Sequence, residues 1–136
     1  MITPKDAYEL SVERPSLFKK RKDYYESIIA KDGRYSHEYA IYVLNRRFKL
    51  GEPAIATNAE YSYYYVYYVL NGRFKLGEKA IAISPFFSYE YAMSVLKDRF
   101  ELGEYSISMR NKFVLNSYIC IISNIKDKTS FYYKFI

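Results

Sequence analysis

Apolar positions along the chain recur with helical spacing, and the pattern itself repeats. In SYYYVYYVLNGRF (62–74) the apolar residues Tyr65, Val66, Val69, Leu70 and Phe74 fall on one side of a helix. The same columns appear 26 residues earlier in SHEYAIYVLNRRF (36–48) and 26 later in SYEYAMSVLKDRF (88–100). Phe48-Lys49-Leu50-Gly51-Glu52 returns as Phe74-Lys75-Leu76-Gly77-Glu78 and as Phe100-Glu101-Leu102-Gly103-Glu104. Tyr39, Tyr65 and Tyr91 form another column, and Arg47, Arg73 and Arg99 a third. Ile29-Ala30, Ile55-Ala56 and Ile81-Ala82 extend the register backwards, and Ile121-Ile122 extends it forwards into a fourth helix without the motif. About three good units with atypical ends are the signature of a stacked array with caps.

Each unit reads as two helical pieces. Ser36, Ser62 and Ser88 stand where a long helix would be capped at its N-terminus. Tyr35, Tyr61 and Phe87 before them are placed to act as hydrophobic staples. Gly51, Gly77 and Gly103 read as left-handed stops, and Glu52, Glu78 and Glu104 then open a second piece of under two turns. The Tyr-rich run 60–70 has strand-forming composition. Its aligned copies carry Glu38, Asn45, Glu90 and Lys97 at helical spacing, which makes it a helix. PKDAYELSVERP predicts a short helix ending before Pro15. The last third reads as a helix at about 114–124 with a docked apolar tail, or equally as a small β-hairpin with strands at 118–123 and 131–136. The expected fold is all-α: a short α-solenoid of about three two-helix repeats in one domain, with a cap at 1–34, repeats at 35–108 and a cap at 109–136.

Composition narrows the chemistry. The 136 residues are 50% hydrophobic and 26% charged, which sets disorder aside and leaves room for one domain. No apolar run approaches the ~18 residues of a membrane span, and MITPKDAYEL lacks the pattern of a secretory leader, so a soluble, cytoplasmic protein is expected. One Cys and one His leave no disulfide framework and no multi-histidine metal site. His37 reads as a surface ring and Cys120, in YICII, as a buried small hydrophobe. No phosphate-cradling glycine motif occurs. The expectation is therefore no enzyme, no catalytic residues, no cofactor and no metal. The Arg column offers either a ladder for anions or structural pairing with the Glu column, and the matched columns favour pairing.

Twenty-one Lys and Arg against 15 Asp and Glu give a net charge of +6, carried at the two ends. The array 35–108 holds eight of each sign. Lys19, Lys20, Arg21 and Lys22 form one basic cluster, and Arg110, Lys112, Lys126, Lys128 and Lys134 the other. A nucleic-acid groove would carry its cations in the repeats. Tyr39, Tyr65 and Tyr91 read as core. Tyr42, Tyr64 and Tyr68 share columns with Glu38, Glu90 and Ser94, so they face solvent and suit partner binding.

The unit GEPAIATNAEYSYYYVYYVLNGRFKLGE resembles short tandem repeats of uncharacterised proteins from tailed bacteriophages and some large DNA viruses, over roughly residues 25–108. The resemblance implies a viral origin, an all-helical array and no catalytic residues. Free-standing phage proteins of this size are often inhibitors of bacterial defence, anti-CRISPR proteins among them. The expected function is then a non-enzymatic inhibitor that binds a host defence protein or ribonucleoprotein complex in the host cytoplasm. The alternative is a nucleic-acid-binding module using the basic ends and the exposed tyrosines.

Overall fold

The structure, a computed structural model, describes residues 1–123 and is all-α, with no strand among them. Helix α1 (Pro4–Glu13) starts with a reciprocal cap. Thr3 Oγ1 accepts from the Asp6 N–H at 3.2 Å, and the Asp6 carboxylate accepts from the Thr3 N–H at 2.8 Å. The helix ends before Pro15 as expected, and α2 (Pro15–Lys20) and α3 (Lys22–Ile29) complete the N-terminal end. Three long helices follow: α4 (Gly33–Glu38), α6 (Ala59–Tyr65) and α8 (Pro85–Glu90). Each runs on into a wider π-helical turn, at Tyr39–Leu44, Val66–Leu70 and Tyr91–Leu96. After each comes a 3₁₀ turn (Lys49–Gly51, Lys75–Gly77, Glu101–Gly103) and a short helix: α5 (Glu52–Ile55), α7 (Glu78–Ile83) and α9 (Glu104–Ser108). Helix α10 (Lys112–Ile122) packs on α9.

The long helices begin earlier than the serines suggest. Their N-caps are Asp32, Asn58 and Ser84, whose side chains accept from the N–H of Tyr35, Tyr61 and Phe87 at 3.0, 3.1 and 3.3 Å. The aromatics therefore sit inside the first turn and are not staples. Ser36, Ser62 and Ser88 are fully buried and donate to the carbonyls of Ile29, Ile55 and Ile81 at 2.9, 3.0 and 2.9 Å. Each ties its helix to the short helix before it, adding a second hydrogen bond to a carbonyl that already accepts from the N–H of Asp32, Asn58 or Ser84.

The helix stops are also displaced. Asn45, Asn71 and Lys97 hold the left-handed conformation, with φ of 48°, 50° and 50°, and their N–H groups reach back to the carbonyls of Ala40, Val66 and Ala92. Gly51, Gly77 and Gly103 have φ of −87°, −88° and −94°, which any residue adopts. Their need for glycine is steric: a Cβ at Gly77 would lie 2.6 Å from the Phe74 ring and 2.6 Å from Ser62 Oγ.

The units stack. Each long helix packs on its own short helix, and α4, α6 and α8 pack in succession. The core is one cluster built from repeat columns. Ile29, Ile55, Ile81 and Ile107 are fully buried, as are Tyr39, Tyr65, Tyr91 and Tyr118, with Phe48, Phe74 and Phe100 nearly so. The run 60–70 is helical as expected. At the C-terminal end, the residues offered as a first strand (118–123) lie in α10 up to Ile122. The proposed second strand at 131–136 and the apolar tail lie outside the described residues. No helix among the described residues is long and apolar enough to cross a membrane.

Two single residues depart from expectation. His37 is buried, stacked on Tyr61 at 4.7 Å and 14°, with its ring nitrogen 3.3 Å from the Gly33 carbonyl, and burial holds its pKa below the usual value. Cys120 is exposed, because the buried residues of α10 are Tyr118 and Ile122.

The two kinds of special position separate by mutation. Gly77→Ala should cost about 1–3 kcal/mol by overpacking. Gly72, whose Cβ would meet nothing nearer than 3.8 Å, should accept Ala neutrally or gain up to about 1 kcal/mol. Equal melting temperatures for the two variants would contradict this. Lys97→Asn should raise stability by roughly 0.5–1 kcal/mol, because Asn tolerates the left-handed region better than Lys. Thermal melts read that gain directly.

Candidate interaction surface

The repeated Arg, Glu and Tyr columns meet in the interior and are consumed there. Glu52 is buried, and its carboxylate accepts from Arg47 Nε at 2.5 Å and Nη2 at 3.0 Å. Tyr65, from the next unit, donates its hydroxyl to the same carboxylate at 2.9 Å and accepts from the Phe48 N–H at 3.0 Å. The arrangement recurs with Arg73, Glu78, Tyr91 and Phe74, and with Arg99, Glu104, Tyr118 and Phe100. In the first unit Tyr39 donates to Glu26 at 2.9 Å, and Lys22 stands in for the arginine at 3.6 Å. The Arg column is thus paired within the fold, as the matched columns favoured.

Burial works to raise the Glu52 carboxyl, and hydrogen bonds from Arg47 and Tyr65 outweigh it and hold its pKa below the usual value. Burial pushes four phenols, the bridging Tyr65, Tyr91 and Tyr118 and the Glu26-bound Tyr39, well above the ordinary tyrosine range. Among the described residues no group of three or more His, Cys, Asp or Glu side chains is placed to hold a metal.

The surface between α6 and α8 is different, because its polar-for-aromatic exchanges are local to the middle of the chain. Tyr64 stacks on Tyr68 with centroids 6.0 Å apart, and Tyr67 meets Tyr68 edge-on at 5.0 Å. Phe87 joins them from α8, 6.0 Å from Tyr64 and 5.4 Å from the buried Tyr63, and Phe86 lies 5.0 Å from Phe87. Tyr67, Tyr68 and Phe86 are about half exposed. Arg110, in the turn before α10, sets its guanidinium 5.3 Å over Phe86 and 5.5 Å over Tyr89. The result is a continuous aromatic patch on two packed helices with a cation at its rim.

Of the residues expected to bind a partner, Tyr64, Tyr68 and Arg110 are brought to this one patch. Tyr64 is only half-buried within it, not fully solvent-facing, because Phe87 covers one side. Tyr42 is exposed one unit earlier, and among the described residues no ring contact joins it to Tyr64 or Tyr68. Lys19, Lys20 and Arg21 are exposed around a shallow hollow at the α2–α3 junction, where Arg21 lies 4.2 Å over the Tyr24 ring. Lys22 is the exception, turned to Glu26. Lys112 is exposed at the start of α10, and Lys126 and Lys128 lie outside the described residues. Sequence reasoning missed Tyr67, Phe86 and Phe87. The signal was there: the column of Phe86 holds Glu60 and Arg34 in the other units, a charge-to-aromatic change on a surface.

No family model, no curated protein and no solved structure matches the chain.

These four buried phenols make stability fall at high pH. A group kept neutral by the fold contributes stability that is complete below its unfolded pKa of about 10 and is lost as pH rises beyond it. Each of the four should cost about 1.4 kcal/mol per pH unit above that point. Tyr91→Phe should remove one proton from this alkaline slope. At pH 7 the same variant should destabilise by about 1–3 kcal/mol, since the buried Phe74 N–H loses its acceptor. An alkaline denaturation profile identical in the two proteins would contradict the bridge.

Proposed function

We propose that the protein is a non-enzymatic binding module whose partner is another protein, gripped by the aromatic patch of α6 and α8. The observation that supports this is the contact between Tyr64, Tyr67, Tyr68, Phe86 and Phe87 on packed helices, with Tyr67, Tyr68 and Phe86 about half exposed and Tyr64 and Phe87 partly buried beneath them. Contiguous exposed aromatic surface of this kind marks interaction sites. Aromatic rings with two torsions lose little entropy on being buried, and Tyr and Arg are the residues that dominate protein interfaces. The cation of Arg110 at the rim adds a charged hydrogen-bond donor beside the rings. The concrete form of this reading is an inhibitor of a host defence complex encoded by a phage, and it rests on the resemblance of the repeats.

Nucleic acid is the second reading, supported by the exposed cluster Lys19, Lys20 and Arg21 beside Tyr24. A phosphate contact there would show as salt-dependent binding that weakens when these three side chains are neutralised.

The test uses residues the fold already accepts elsewhere. Ser94 occupies the Tyr68 column and Glu60 the Phe86 column, so the double variant Tyr68→Ser, Phe86→Glu should melt near wild type. Proteins captured from a bacterial host by the wild-type chain and identified by mass spectrometry supply the ligand. Its affinity for the double variant should fall by about 30-fold or more, or about 2 kcal/mol. Undiminished binding by a normally folded variant would place the interface elsewhere.

A further inference from the structure

One surface column has no explanation in the fold. Leu50, Leu76 and Leu102 are 57%, 55% and 55% exposed, each at the same point of its unit, between the buried Phe and the buried Gly. Other exposed columns have drifted: Tyr42, Tyr68 and Ser94; Asn45, Asn71 and Lys97; Pro53, Lys79 and Tyr105; Thr57, Ile83 and Met109. The leucine has not. A solvent-facing leucine adds little to stability, so its retention in all three units points to something that covers it.

Charge along this ridge says what covers it. Arg47, Arg73 and Arg99 are answered by their own glutamates. The remaining exposed charges beside the leucines shift from basic to net acidic: Arg46 and Lys49 beside Leu50, Lys75 beside Leu76, and Lys97, Asp98 and Glu101 beside Leu102. Glu101 is 78% exposed and, at 4.0 Å from the Arg99 guanidinium, keeps most of its carboxylate in water. A ridge basic at one end, net acidic at the other and carrying a leucine at its centre is complementary to itself when turned end for end.

We propose that this ridge is the contact face of a homodimer, with a second copy of the chain packed antiparallel across it on a two-fold axis through Leu76. Leu50 then meets the second copy's Leu102, Leu76 meets Leu76, and Arg46 and Lys49 face the second copy's Asp98 and Glu101. Both ends repeat the same contact, as a two-fold interface requires. A parallel pairing would set like charges against each other at both ends. Lys75 meets its own copy near the axis, where its long stem lets the ammonium groups turn outward to water. Successive leucines are spaced by about one helix-packing distance, roughly 8–10 Å, so the interface is small and belongs to the weak, reversible class.

Sedimentation equilibrium on the pure full chain at low salt tests this without reference to any other partner, so its outcome is independent of the reading of the aromatic patch. The wild type should dimerise reversibly and dissociate as salt rises. Leu76→Glu should be monomeric with an unchanged helical spectrum. Lys49→Glu and Glu101→Lys should each weaken the dimer by about 10-fold or more. Both substitutions place in one unit the residue that another unit carries at the same position, so the fold accepts them. The double variant, which swaps the charges of both ends, should recover wild-type association, and Lys75→Gln should tighten it. The proposal is overturned by a wild type that stays monomeric, by a dimer indifferent to Leu76→Glu, or by a double swap that does not recover. A monomer that instead binds an acidic, leucine-bearing peptide on this ridge would assign the face to a foreign partner and likewise overturn the homodimer.

Discussion

A buried carboxylate that accepts from two directions organises this protein. Glu52, Glu78 and Glu104 each hold an arginine from their own unit and a tyrosine from the next, and that tyrosine in turn caps the backbone N–H of the Phe at the loop. A charge in this position is tolerated only with its lone pairs answered; removing one donor costs more than the bond itself was worth. The bridge therefore dictates the length of the unit. Tyrosine must follow glutamate by 13 residues, and that fixes the helix start, the left-handed stop and the glycine that lets the Phe ring close over the loop. At the far end Tyr118 follows Glu104 by 14, and the added residue is absorbed before α10, where Met109–Asn111 form no helix.

How much of this is legible in the residues alone depends on whether a feature repeats and on what else its residue type signals. The core columns, the two-piece unit and the pairing of Arg with Glu all follow from the 26-residue offset. The register of the helix ends does not, since serine beside an aromatic suits an N-cap and an interior hydroxyl equally well. Here Asp32, Asn58 and Ser84 take the cap and leave Ser36, Ser62 and Ser88 to reach the previous short helix. Glycine misleads in the same way: at Gly51, Gly77 and Gly103 it answers a crowding ring, while asparagine and lysine bear the positive φ. A strict 26-residue step lands on Ser117, so the last bridging tyrosine, Tyr118, escapes any fixed-offset comparison. The aromatic patch escapes it for the opposite reason. It is made from positions where units differ, and only the packing of α6 on α8 brings Tyr64 and Phe87 together.

That contrast separates what holds the array together from the surface that is left free to vary. A repeat scaffold stabilised by nearest-neighbour bridges tolerates change wherever a side chain faces water, so its surface can specialise unit by unit without loss of the fold. The middle units have done so with aromatic rings, and the N-terminal junction with lysines and an arginine. The leucine ridge runs against this drift, being uniform in shape and graded in charge. A two-fold pair formed along that ridge would carry the aromatic patch twice. A partner that is itself multimeric, or that repeats along a complex, would then be held by linked contacts whose joint strength exceeds that of either alone, provided the two patches can be reached together. In such an arrangement a weak homodimer and a modest patch suffice where a single monomeric contact would not.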